Sequence, residues 1–384
     1  MSDLIERFDI HVDDEVLDDL RSRLAQTRFP DQIEGTGWEY GIPTGYLREL
    51  VEYWRESYDW RSQEARLNEL AHFRTRIDSQ SIHFVHARSS HADALPLIIT
   101  HGWPGSVVEF LDVIPRLTEP EDQAGQASDA FHVVAPSLPG YGFSEPTSTP
   151  GWDPWRIARA FVELMHRLGY TRYGAQGGDW GAQVATRIGA LDPDHCAAIH
   201  LNMAIADPPP RREGEAAVQQ SDQDKADVAA MQQFAREESG YAMEQSTKPQ
   251  TLGVALNDSP AGLLAWIVEK LRAWSDCDGD PENVFTQDQM ITNVMTYWVT
   301  QNITSSARLY WELQHTGERA PERVDVPTGI ARYPKEVIRF PRPWVERRYN
   351  VTHWADMPRG GHFAAMEQPD LFVDDLRTFF RTVR

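Results

Sequence analysis

The residue with the most chemical meaning in this chain is Asp179, in the run Tyr173-Gly-Ala-Gln-Gly-Gly-Asp-Trp-Gly181. A short strand-like pattern ends in glycines, and a helical pattern starts at once. Small–x–nucleophile–x–small on a strand-to-helix turn is the pattern of a nucleophile elbow, here with a carboxylate in the central place. Glycines flank such a residue because its strained backbone leaves little room for neighbouring side chains. The competing reading is a glycine-rich turn in which Asp179 merely caps a helix. The other motifs weigh against it.

Ile98-Ile-Thr-His-Gly-Trp-Pro-Gly-Ser106 reads as a strand ending in a turn. Its Trp103 N–H, together with the N–H of Trp180 after the nucleophile, is the expected pair of oxyanion donors. Arg359-Gly-Gly-His-Phe363 places His362 between a late strand and the last helix, where a general base belongs. The acid that orients it should follow the strand near Val326. Glu336 is the first choice, with Asp325 and Asp356 as rivals, and Asp325 falls inside the strand pattern. Leu138-Pro-Gly-Tyr-Gly-Phe-Ser-Glu-Pro146 is no dinucleotide fingerprint, because the third glycine is missing and a proline stands where a helix should continue. It reads as an ordered loop.

A carboxylate nucleophile is poorly suited to peptidase-type acyl transfer. It suits attack on an electrophilic sp³ carbon, which leaves an alkyl ester on the enzyme. A histidine can then activate water against the carboxyl carbon of that same aspartate. Epoxides and alkyl halides both fit. The first needs an acid for the departing alkoxide, and the second needs indole or amide N–H donors.

Such groups must be positioned by a scaffold, and the chain supplies the pattern of one. Strand-like runs at 82–87, 95–100, 131–136 and 172–175 alternate with helical patterns at 107–117, 155–168 and 181–191. That βαβα rhythm implies an α/β protein with a mostly parallel sheet covered by helices. Residues 1–80 read as helical, with amphipathic segments at 13–27 and 44–59. After a run at 198–202, Asp207-Pro-Pro-Pro210 forms a stiff exit into a charged helical stretch, 213–239. The region 206–321 is rich in Trp and Tyr and shows no clear strand. Strand signals return at 323–327 and 348–354, and an amphipathic helix at 368–380 closes the chain. The outline is that of a capped α/β-hydrolase fold: an N-terminal region (1–90), a core in two parts (91–205 and 321–384) and a helical cap (206–320).

Composition limits the partners. Lys and Arg number 37 against 58 Asp and Glu, a formal net charge of −21. Such a surface repels nucleic acid and anionic membrane, so a neutral small molecule is the expected substrate. Cys196 and Cys277 are far apart without metal-ligand spacing, and neither a metal nor a cofactor is expected. The acidic N-terminus lacks an apolar signal core, and the longest strongly apolar stretch, 261–268, is too short to span a bilayer. These features point to a cytoplasmic protein without a membrane anchor.

The motifs together resemble those of the microsomal-type and juvenile-hormone-type epoxide hydrolases. The matching segments are His101-Gly-Trp-Pro-Gly-Ser106, Gly177-Gly-Asp-Trp-Gly181, Leu256-Asn-Asp-Ser-Pro260, Thr292-Asn-Val-Met-Thr-Tyr-Trp298, Val326-Pro-Thr-Gly329 and Pro358-Arg-Gly-Gly-His-Phe-Ala-Ala365. The likeness runs from about residue 8 to the C-terminus. It implies Asp179 as nucleophile, His362 as base and Glu336 as relay acid. It also implies Tyr241, in Glu238-Ser-Gly-Tyr-Ala-Met, and Tyr310, in Ser306-Ala-Arg-Leu-Tyr-Trp, as ring-opening acids. One departure is the Lys335 beside Glu336, where a hydrophobic residue is usual. The resemblance implies a small epoxide as substrate, and the aromatic cap suggests an apolar or aromatic one; family habit admits a homodimer. A haloalkane dehalogenase shares the Asp elbow but usually carries Asn or a similar donor where this chain has Trp103. A non-catalytic receptor on the same fold would be expected to lack some member of the set.

Overall fold

The computed structural model describes residues 4–123, 125–208 and 220–384. Nine strands form one sheet: β1 (Ile5–Arg7), β2 (His72–Ile77), β3 (Gln80–Ala87), β4 (Leu95–Thr100), β5 (Phe131–Pro136), β6 (Tyr173–Gly177), β7 (Cys196–Leu201), β8 (Val324–Arg332) and β9 (Tyr349–Asp356). Their order is β1-β2-β3-β5-β4-β6-β7-β8-β9. Strands β1, β2, β3 and β5 pair antiparallel, and every other pairing is parallel. Strand β5, Phe-His-Val-Val-Ala-Pro, is buried along its whole length, as a strand covered on both faces must be.

The N-terminal helices are α1 (Asp14–Ala25), α2 (Thr44–Glu56) and α3 (Trp60–Leu67). The core adds α4 (Ile114–Thr118), α5 (Pro154–Arg167) and α6 (Asp179–Leu191). The cap contains α7 (Asp222–Glu237), α8 (Gly240–Thr247), α9 (Pro249–Asp258), α10 (Pro260–Trp274), α11 (Gln287–Trp298) and α12 (Ile303–His315). The chain then returns to the core with α13 (Arg342–Arg348), α14 (Ala364–Glu367) and α15 (Pro369–Phe380). Local chemistry sets several starts. Asp153 accepts from Arg156 N at 2.9 Å before Pro154 opens α5. Ser259 accepts from Gly262 N at 3.0 Å before Pro260 opens α10.

Two expectations need correction. The N-terminal region is not wholly helical, since β1 and β2 lie within it and extend the central sheet from its β3 edge. Strand β2, His-Phe-Arg-Thr-Arg-Ile, is only partly covered and carries two arginines, so it shows no apolar run. The helix expected over 107–117 is broken into a 3-10 turn, Val107–Phe110, and the short α4. Pro115 explains the break: without an N–H it is tolerated only in a first turn, so a new helix starts there. The charged stretch expected over 213–239 is seen as α7, and its residues 213–219, like Pro209 and Pro210 of the proline exit, lie outside the described residues. No single helix among the described residues is long and apolar enough to cross a membrane. One pair, Pro249–Asp258 with Pro260–Trp274, passes on length and composition together but bends by 115°.

Candidate active site

Four loops leave the C-terminal ends of parallel strands and converge, as expected for ligand sites in such sheets. Trp103 follows β4, Asp179 follows β6, Glu336 follows β8 and His362 follows β9. Asp179 adopts φ +50° at the first position of α6. A left-handed backbone costs a non-glycine residue about 1–2 kcal/mol, so the surroundings must enforce it. The fit is close on both sides. A Cβ on Gly181 would overlap the Thr100 carbonyl oxygen, and one on Gly102 would overlap the Asp179 side chain.

One carboxylate oxygen of Asp179, Oδ1, accepts from the Trp103 N–H at 2.9 Å. The other, Oδ2, faces His362 Nε2 at 3.5 Å. Of the two expected oxyanion donors, Trp103 is the one hydrogen-bonded to the carboxylate, while Trp180 begins the first turn of α6 directly after it. On its far side His362 Nδ1 meets Glu336 Oε1 at 2.7 Å, and the Val337 N–H donates to the same oxygen at 2.8 Å. Both partners are almost fully buried, with side chains 3% and 1% exposed. The rival acids are elsewhere: Asp325 pairs with Arg323, and Asp356 pairs with Arg332. Burial pushes the His362 pKa down, but the Glu336 and Asp179 carboxylates outweigh it and hold the imidazolium form well above the ordinary histidine range.

Above Asp179, the cap contributes aromatic rings. Tyr241 from α8 stacks on Trp103 with ring centroids 5.0 Å apart at 8°. Tyr310 from α12 meets Trp103 edge-on at 5.9 Å, Trp180 at 4.8 Å and Tyr241 at 5.8 Å. Burial, then the neighbouring Asp179 charge, raises the Tyr241 hydroxyl above its usual value; Tyr310 is raised by burial, Tyr241 and Asp179. Both phenols are therefore neutral donors at neutral pH. The Tyr310 hydroxyl is buried without a hydrogen-bond partner among the described residues.

The remaining sequence motifs hold these parts together. Asn293 of α11 donates to the Pro104 carbonyl at 2.8 Å and accepts from Ser106 Oγ at 2.9 Å, while the Tyr297 hydroxyl donates to the Gly105 carbonyl at 2.6 Å. This cap helix thus clamps the Trp103 turn. The Tyr141 hydroxyl donates to the Ser306 carbonyl at 2.9 Å, and Ser305 Oγ donates to the Gly140 carbonyl at 2.5 Å. The proline–glycine loop thereby fixes the start of α12, the helix that carries Tyr310. His101 is held neutral by burial, its pKa lowered to about 4, and it accepts from Leu138 N at 3.2 Å. It ties that loop to the Trp103 turn.

Sequence reasoning missed two groups. Glu367 of α14 accepts from Gly361 N and Phe363 N at 2.9 Å, and from Asp276 N at 2.8 Å, so it shapes the loop on both sides of His362. Burial raises its pKa to about 7 despite these donors. Glu109 lies close to Asp179 and His362, and burial pushes its pKa up to about 8. It stands three residues beyond the motif at 98–106, in the stretch 107–117 that was read only as a helix. His166, Asp192 and His195 have spacing that could hold a metal ion. They lie at the other end of β6, where Asp192 already bonds both imidazoles and the Tyr173 hydroxyl.

The family description "Epoxide hydrolase N terminus" matches residues 5–110, and "alpha/beta hydrolase fold" matches residues 96–248. A protein of Stigmatella aurantiaca, provisionally named an epoxide hydrolase, is 47% identical over 99% of this chain and 86% of its own length. Epoxide hydrolase 1 of Sus scrofa is 38% identical over 98% of this chain and 88% of its own. The crystal structure of juvenile hormone epoxide hydrolase from the silkworm Bombyx mori matches with a TM-score of 0.89 at 32% identity, covering 99% of this chain and 95% of that one.

Proposed function

The chain belongs to the epoxide hydrolases with an α/β-hydrolase fold, and from that premise we propose that it opens its epoxide through an ester on Asp179. The observation that carries the reading is the division of labour on one carboxylate: Oδ1 is held by the Trp103 N–H, and Oδ2 is the looser oxygen, 3.5 Å from His362. Oδ2 attacks an epoxide carbon, and the C–O bond of the ring breaks. Tyr241 and Tyr310, buried and neutral, donate a proton to the departing oxygen, so no free alkoxide forms.

Water then attacks the carboxyl carbon of Asp179, and His362 takes a proton from it. Negative charge develops on the oxygen already facing the Trp103 N–H. The resting His362 is held in its charged form by two carboxylates, which would make it a poor base. Alkylation converts one of them, Asp179, into a neutral ester. That step removes a charge that raised the His362 pKa, so the base becomes available when it is needed. The proton that His362 gave up to become a base reprotonates the tyrosinate. Collapse of the tetrahedral species then releases the diol, with the water-derived proton returned from His362 to its oxygen. The proton left on the new Asp179 carboxyl passes to His362, which regenerates the carboxylate and the resting imidazolium.

The walls set by Trp103, Trp180, Trp274, Tyr241 and Tyr310 favour an apolar or aromatic epoxide. His362→Gln tests the scheme. With a styrene-oxide-type substrate, this variant should accumulate a stoichiometric adduct that peptide mass mapping places on Asp179, while diol release falls by about 10²–10⁴-fold. Diol formation at the normal rate with no adduct would remove the covalent reading.

A further inference from the structure

A cavity of about 20 Å³ lies against Asp179, lined also by Glu109, His362, Gln176 and Asn202. That is room for about one water molecule. Neither Tyr241 nor Tyr310 lines it, so it lies on the sheet side of the nucleophile rather than beneath the cap acids. Polar groups line it alongside Phe110, Phe363 and Phe372. Gln176 is 1% exposed and donates to Asn202 Oδ1 at 3.2 Å, but its Oε1 has no hydrogen-bond partner among the described residues. The Glu109 side chain folds back over Gly105, and its carboxyl fills the space that a Cβ there would need. The carboxyl is thereby set beside the backbone at Gly102 and Ser106 and within the field of Asp179 and His362.

We propose that Glu109 is the second anchor of the water that hydrolyses the Asp179 ester, facing His362 across this cavity. The inference rests on the covalent reading above and deepens it. A water in the cavity gives one proton to His362 Nε2 and donates its other O–H to the Glu109 carboxylate. Its lone pair is then directed at the Asp179 carboxyl carbon. The new C–O bond forms as the first proton reaches His362; the ester C–O bond breaks as that proton passes to the departing diol oxygen. Glu109 orients and is not consumed, so the balance is unchanged. Two sides of Asp179 are thus used in turn, the cap side for the epoxide and the sheet side for water.

The charged and titratable groups that face Glu109 are Asp179, His362 and Tyr297. In the resting enzyme, burial and the Asp179 charge keep Glu109 protonated to about pH 8, with His362 opposing them. Esterification removes the Asp179 charge. The His362 charge, which lowers Glu109 more than Asp179 raises it, leaves as well when His362 becomes the base, so burial still holds Glu109 protonated and raising the pH gives the acceptor form. A merely structural Glu109, holding the turn at Gly102 and Ser106, would show no such link to the second half-reaction.

The test is rapid-quench measurement of ester decay after a single turnover with a styrene-oxide-type substrate, in the wild type, Glu109→Gln and Glu109→Ala. The expected result is an ester on Asp179 that decays about 10- to 100-fold more slowly in the variants, the effect of a lost hydrogen bond to a charged group. The wild-type decay should also rise with pH below about 8 with a limiting slope above one, falling to one in Glu109→Gln. Ester decay within twofold of wild type in both variants would overturn the proposal. Should neither variant fold, a wild-type slope of one would overturn it. Absence of any ester on Asp179 in the wild type would instead defeat the covalent reading on which it stands.

Discussion

On the sheet side of the active site, Asp179, Trp103, Glu336 and His362 each follow the end of a parallel strand by between two and about six residues. On the cap side, Tyr241 and Tyr310 ride on α8 and α12, and reach the same spot through packing on Trp103, Trp180 and Trp274. The first set is placed by short-range constraints: a left-handed residue, close backbone approaches and a handful of loop hydrogen bonds. The second depends on long-range clamps, the Tyr141 hydroxyl on the Ser306 carbonyl and Asn293 on the Pro104 carbonyl. On the proposed mechanism, the nucleophilic set and the acid set should therefore fail separately.

That separation can be broken experimentally. The largest effect is expected from the Tyr241→Phe/Tyr310→Phe pair, because it leaves the departing oxygen without a proton donor. Alkylation measured by single-turnover burst should fall by about 10²–10⁴-fold, with each single variant in between. A normal burst in the double variant would mean that the cap only shapes the pocket. A smaller effect is expected from Asn293→Ala, which removes the clamp between α11 and the Trp103 turn while leaving every reacting group in place. It leaves the Pro104 carbonyl and the Ser106 hydroxyl short of a buried partner, a loss of about 1–3 kcal/mol of stability by urea unfolding. Alkylation and ester hydrolysis should both slow, since Trp103 serves both. A selective loss of one step would show that the turn does not depend on the cap for its shape.

The same contrast explains what the sequence revealed. Strand-to-loop motifs are local, so Asp179, Trp103 and His362, which the fold brings together, could be singled out as candidates from a few residues each, and the ordered strands made the parallel sheet legible. Glu336 was less certain because three carboxylates compete near β8 and β9. Only burial and the 2.7 Å contact with His362 separate it from Asp325 and Asp356, which are exposed and pair with Arg323 and Arg332. Tyr241 and Tyr310 had no local signal among 12 tyrosines, and only resemblance to a family singled them out. The strands β1 and β2 escaped notice because β1 is three residues long and β2, only partly covered and carrying two arginines, does not look apolar. Glu109 was hidden in plain view. Its side chain folds back over Gly105 of the preceding motif, a three-dimensional fact that spacing does not encode.

The central claim, that Asp179 supplies the first oxygen and is repaired by water, is tested most directly by isotope transfer. A single turnover of excess wild-type enzyme in ¹⁸O-water should release diol whose new oxygen is ¹⁶O, and should leave ¹⁸O in the peptide containing Asp179. First-turnover diol carrying ¹⁸O, with an unlabelled Asp179 peptide, would show that water attacks the epoxide itself and would contradict the account.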